Sequence, residues 1–179
     1  MAIAKKFYPY AGIPVIGTSF LLLNISKTDV FVILLCELIV VFGYIAAILD
    51  LKTKKVPNIL IIAMLLAWVS TITPKLFIHT DIAISYIKDF ALGFIIAGGL
   101  FLLVYLVSRK GLGGGDVKFI AVAGLYLGFN GIIPAILYGS ILAGLCGLVL
   151  LLLKKIGRKD AMPLIPFLYI GILITLFYR

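Results

Sequence analysis

Residues 30–50 read VFVILLCELIVVFGYIAAILD, a long apolar run closed by an aspartate. As a helix, residues 30–49 would cover about 30 Å, the depth of a bilayer's hydrocarbon core. The run is therefore read as a transmembrane helix that stops on an acid, Asp50, at the membrane edge. Lys52, Lys54 and Lys55 follow at once, as they do at a cytoplasmic end. The rest of the chain repeats this pattern. Of its 179 residues 64 % are hydrophobic and 13 % charged, whereas a soluble domain is nearer half apolar and a quarter charged. The composition predicts an all-α fold, a polytopic transmembrane helical bundle with the lipid bilayer as its partner.

Outward from residues 30–50, further spans are expected over 58–73, 90–108, 132–153 and 161–178. Residues 117–129 form a shorter apolar segment, with a turn at Asn130–Gly131. Pro57 is placed where a helix start tolerates proline. Pro74 to Asp89 is the longest polar connection, and its Leu76, Phe77, Ile78, Ile82, Ile84 and Ile87 predict a segment lying on the interface. Trp68, Phe77 and Tyr86 fit an aromatic belt. Residues 7–24 are apolar but interrupted by Pro9, Gly12, Pro14 and Gly17. Without a small-x-small cleavage site they are expected to be an uncleaved span or a re-entrant segment rather than a signal peptide. This divides the chain into an N-terminal segment, 1–29, and a membrane-embedded core, 30–179.

The formal charge of +9 does not indicate nucleic acid, because the basic residues fall in short clusters between apolar runs. Placing Asp50 on the cytoplasmic side puts twelve Lys and Arg inside and leaves Lys27, Lys75, Lys88 and Arg179 outside. That count predicts seven spans, with the N-terminus cytoplasmic and the C-terminus outside. Cys36 and Cys146 stand alone, so no zinc module is expected. His79 is the only histidine and has no second ligand near it; no metal site is predicted.

The same count puts a second acid on the face of Asp50. Residues 109–118 read RKGLGGGDVK, in which Gly111, Gly113, Gly114 and Gly115 lead into Asp116. Two carboxyl groups a few ångströms apart share a proton near neutral pH. One can then act as general base toward water while the other donates a hydrogen bond to a carbonyl oxygen, which suffices to hydrolyse a peptide bond. Against this stands a plainer reading, in which Asp50 is a solvated juxtamembrane charge and Asp116 an N-cap. The glycine run favours the first, since a cap needs no such run. It is not a phosphate-binding loop, for it lacks the GK[ST] ending.

Asp50-Leu-Lys-Thr-Lys-Lys-Val-Pro-Asn58 and Gly113-Gly-Gly-Asp116-Val-Lys118 resemble the prepilin peptidases, membrane aspartyl proteases of the GxGD type. The stretches AVAGLYLG at 121–128 and PLIPF at 163–167 extend the resemblance. It implies a six-helix core in the plasma (inner) membrane. It also implies cleavage of a short basic leader from a type IV prepilin-like, pseudopilin or archaellin precursor, at the cytoplasmic face and without a cofactor. Asp50 and Asp116 would be the catalytic pair. Gly113, Gly114 and Gly115 would form a substrate-approach loop, with Lys118, Pro57 and Asn58 behind them. The long bifunctional members carry paired CxxC motifs that are not found here, so no methyltransferase activity is expected, as in the short Tad-type or archaeal-type enzymes. The Tyr-Asp and Pro-Ala-Leu motifs of presenilin-like proteases are lacking too.

Glu37 lies thirteen residues before Asp50, about 20 Å along a helix, too far to join the pair. It is expected to be a protonated or hydrogen-bonded interhelical contact. It also favours the alternative function, a small proton-coupled transporter or a pilus-assembly scaffold.

Overall fold

The computed structural model describes residues 29–108, 112–154, 157 and 162–178. These residues form α1 (Val30–Thr53), α2 (Asn58–Ile78), α3 (Thr80–Val107), α4 (Gly114–Leu152) and α5 (Ile165–Tyr178). Four are long and apolar enough to cross a membrane, and α5 is a shorter apolar helix. The described residues are all-helical, and the chain is a multi-pass membrane protein. The N-terminal segment expected over 7–24 lies outside the described residues.

The contacts set the direction of each helix. At one end Asp29 caps α1, its Oδ1 accepting the Phe31 amide at 3.2 Å. There it also pairs with Lys75, near the end of α2. Lys75 lies over the rings of Phe31 (4.8 Å) and Tyr86 (5.2 Å), so α3 starts at this end as well. Going down, α3 packs against the first part of α4. A Cβ on Gly124 would collide with the Gly93 carbonyl, so the two backbones touch directly. Small residues permit this approach, which in lipid substitutes for the hydrophobic drive between helices. Deeper in, the Tyr126 hydroxyl donates to the Met64 carbonyl and ties α4 to α2.

The chain reverses within α4. Gly128 has φ 68° and ψ −179°, a region open to glycine alone. Asp89 of α3 accepts the next amide, that of Phe129, at 3.3 Å. From there α4 runs back toward the opposite end of the bundle, with Gly139 against Leu168 and Gly147 beside Met162. Counting both arms of α4, residues 30–178 hold six helical segments among those described.

Three expected boundaries are corrected. The turn between the arms of α4 is at Gly128 and not at Asn130–Gly131, because the positive φ, not the polar dipeptide, breaks the helix. The connection 74–89 is almost wholly helical. Only His79, with φ −138°, separates α2 from α3. In α3, Asp81, Ser85 and Lys88 lie on one exposed face, while Ala83 and Phe90 are buried on another. Polar residues here are one side of a helix rather than a loop. The last helix starts at Ile165, four residues later than expected. The aromatic belt is also corrected in part. Phe77 is 83 % exposed, but Trp68 and Tyr86 pack on Phe90 at 6.1 and 5.8 Å between ring centroids.

Candidate active site

Four helix ends meet at the end of the bundle opposite Asp29 and Lys75: the C-terminus of α1 and the N-termini of α2, α4 and α5. Asp50 sits in the last turn of α1 and is only 3 % exposed. A solvated juxtamembrane charge is thereby excluded. Its Oδ2 accepts the Ile165 amide at 3.1 Å, and the Leu164 amide adds a weaker contact. Ile165 is the first residue of α5 and its N–H has no intrahelical partner to satisfy it. Asp50 fills that role from another helix.

Asp116 is the third residue of α4. Its Oδ2 accepts the Gly113 amide at 3.3 Å, so it braces the helix start from the third position, and the N-cap is Gly113 rather than Asp116 as in the plainer reading. Bracing is not all it does. Asp116 and Asp50 are near enough to act on each other electrostatically. The structure thus brings together the two acids that lie on separate spans.

The glycines before Asp116 differ in their surroundings. A Cβ on Gly115 would come within 3.1–3.2 Å of Val56, including its backbone N and O. Val56 is itself buried in the short loop after α1. Gly115 therefore lets the α4 start close on the loop that follows Asp50. A Cβ on Gly113 would lie 3.1 Å from the Asp116 carboxylate, whereas one on Gly114 would meet nothing within 4 Å. Across the same end, the Lys118 ammonium donates to Asn58 Oδ1 at 3.0 Å and joins α4 to α2. Pro57 is the N-cap of α2, with φ −70° and ψ 140°. Its fixed φ starts the helix directly behind Val56.

Sequence reasoning missed the Leu164–Ile165 backbone, which holds Asp50. Its signal was present in PLIPF. A proline at 166 suits a first helical turn, and a helix starting there leaves free amides just before it. Nothing in the sequence indicated that Asp50 would receive them. Glu37 remains apart. Its Oε1 is buried with no hydrogen-bond partner among the described residues, so of the two forms expected, protonated or hydrogen-bonded, the second is not seen at this oxygen. Among those residues no three His, Cys, Asp or Glu side chains gather as metal ligands. A cavity of about 210 Å³, lined by Asn130, Pro134, Tyr138, Thr175 and Tyr178, lies at the other end of the bundle from the acids.

Residues 37–148 match the type IV leader peptidase family, a stretch that contains both Asp50 and Asp116. The chain belongs to this family. Among curated relatives it is similar to the prepilin leader peptidase/N-methyltransferase of Legionella pneumophila, 32 % identical over 134 residues. It is also similar to proteins of the same name from Xanthomonas campestris, 33 % identical over 73 residues, and Bacillus subtilis, 30 % identical over 83. These alignments take in 73 %, 41 % and 46 % of this leader peptidase family member. They cover only 45 %, 25 % and 34 % of the relatives' own lengths. No solved structure matches the chain.

Proposed function

We propose that this protein is a membrane aspartyl endopeptidase that removes the short basic leader from a type IV prepilin-like precursor. The observation that carries the reading is the meeting of Asp50 and Asp116 at one end of the helical bundle, in a chain of the type IV leader peptidase family. One carboxylate takes a proton from water, whose oxygen adds to the scissile carbonyl carbon. The other carboxyl gives its proton to the carbonyl oxygen. As the resulting diol collapses, the leaving nitrogen receives a proton and the pair regains its starting state. Gly113, Gly114 and Gly115 form the approach for the extended substrate. Lys118, Asn58 and Pro57 fix the ends of the helices around it.

The site end is the cytoplasmic one. Among the described residues Lys52, Lys54, Lys55, Lys118 and Lys154 lie there, against Lys75 and Lys88 at the far end, a bias that supports this orientation. The substrate leader, being basic, is read on the same side. The curated relatives are named for a methyltransferase activity as well; the chemistry proposed for this chain is hydrolysis only. Transport through Glu37 has less support, because its buried Oε1 has no hydrogen-bond partner among the described residues to pass a proton on.

The test uses the purified full chain in lipid and a precursor carrying a basic leader ahead of an apolar helix. One cut ahead of the apolar segment, with the product mass of an unmethylated N-terminus, is expected. An intact precursor, with the protein folded, would contradict the proposal.

A further inference from the structure

The two carboxyl groups have unequal surroundings. Asp50 is almost wholly buried and receives the Ile165 amide at 3.1 Å, with Leu164 adding a second contact. Burial works against the charged form of both carboxyls. At Asp50 the backbone N–H groups of Ile165 and Leu164, with the positive end of the α5 dipole, oppose it more strongly than the single longer contact does at Asp116. Among the described residues, the charged groups acting on Asp50 are Asp116 of α4 and Lys54 at the end of its own helix. Lys118 of α4 is engaged by Asn58 of α2. Asp116 is less enclosed and accepts one longer contact, 3.3 Å from Gly113, within its own helix.

The geometry points to the start of α5, Leu164 and Ile165, as the positioning element that holds Asp50 as the ionised member of the pair and leaves Asp116 to carry the shared proton. This assignment rests on the aspartyl protease reading and deepens it. Asp50 removes a proton from water as the water oxygen bonds to the carbonyl carbon, and Asp116 passes its proton to the carbonyl oxygen. When the C–N bond breaks, Asp50 returns its proton to the leaving nitrogen. Asp116 then takes one back from the diol, so peptide and water become acid and amine with the pair unchanged.

Ile165→Pro deletes the amide at a helix position that accepts proline, and Ile165→Val keeps it while trimming the buried side chain. With a synthetic precursor peptide, the acid limb of the kcat–pH profile should move up by about one pH unit in Ile165→Pro. Ile165→Val should keep the wild-type profile, whatever its absolute rate. An unshifted limb in Ile165→Pro overturns the assignment. Infrared spectra provide a second measure that does not need the proline variant to fold. With one partner replaced, the carboxyl band left in Asp50→Asn, that of Asp116, should persist to higher pH than the one left in Asp116→Asn, that of Asp50; the reverse order overturns the assignment. If either asparagine variant keeps full cleavage, it is the protease reading itself that fails.

Discussion

Val56 and Gly115 touch where the loop after Asp50 meets the turn before Asp116, and a methyl group is enough to part them. Gly115→Ala would place a Cβ 3.1–3.2 Å from Val56 backbone and side chain, forcing one loop to yield. Small displacements in a reacting pair are costly in rate. We expect cleavage to fall roughly tenfold or more at near-normal protein level. Gly114→Ala meets open space within the protein at the first turn of α4 and, although it borders the substrate approach, should lose less cleavage than Gly115→Ala, with helix stability unchanged or higher by up to about 1 kcal/mol. Equal losses in both variants, measured as kcat/KM, would show that the contact with Val56 is not what Gly115 is for. At the other end, the Lys75 ammonium beside Asp29 holds its carboxyl below the usual carboxylate range. Because the folded value is lowered, the stabilisation is full above the ordinary range near pH 4 and fades as pH falls through the lowered value. Asp29→Ala also removes the α1 cap and should cost about 1 kcal/mol at neutral pH. Thermal unfolding in detergent should show that deficit shrinking in acid; a deficit independent of pH would mean that the ionised carboxyl contributes nothing.

Among the elements, α4 depends most on one residue. Gly128 takes φ 68° with ψ −179°, and a Cβ there would strike the Asp89 carboxylate. Gly128→Ala should destabilise the bundle by about 1–3 kcal/mol from backbone strain alone. The loss should appear as a lower Tm, and an unchanged Tm would contradict the reversal described for α4. This element also marks how far the sequence could be read. The apolar runs gave the helices of the core directly, because lipid demands apolar faces and internally satisfied backbones. The turn was placed two residues late, since Asn130–Gly131 has the composition of a turn while the positive φ at Gly128 leaves no composition mark. The stretch 74–89 was read as a connection for a related reason. Pro74, Lys75, His79 and Asp81 look like loop chemistry, yet α2 continues past Pro74 and only His79 interrupts the path. The spacing of Asp81, Ser85 and Lys88 carried the helical period that the polarity obscured. At the site, Asp50 and Asp116 were legible as acids at one depth. The amides of Leu164 and Ile165 were not, because a backbone donor has no letter in the sequence.

For the molecule as a whole, four helix ends converge at the acid pair, and the opposite end is closed by Asp29, Lys75 and the rings of Phe31, Tyr86 and Phe90. The proposed orientation has a direct check. With Cys36 and Cys146 replaced by Ala, Lys88→Cys should react with a membrane-impermeant maleimide in intact cells, and Lys55→Cys only after permeabilisation. The opposite pattern would put the site outside and remove the basic leader from its reach. The central claim is that the two aspartates act together on a peptide bond. Its most direct measurement is precursor cleavage by Asp50→Asn and Asp116→Asn, each made singly and compared at equal protein level by the mobility of the precursor. Asparagine keeps the size of the side chain but cannot take up the proton that hydrolysis moves between the two groups. Cleavage should collapse in both variants, by about a hundredfold or more as for removal of a general acid or base. Full cleavage by either one would contradict the account.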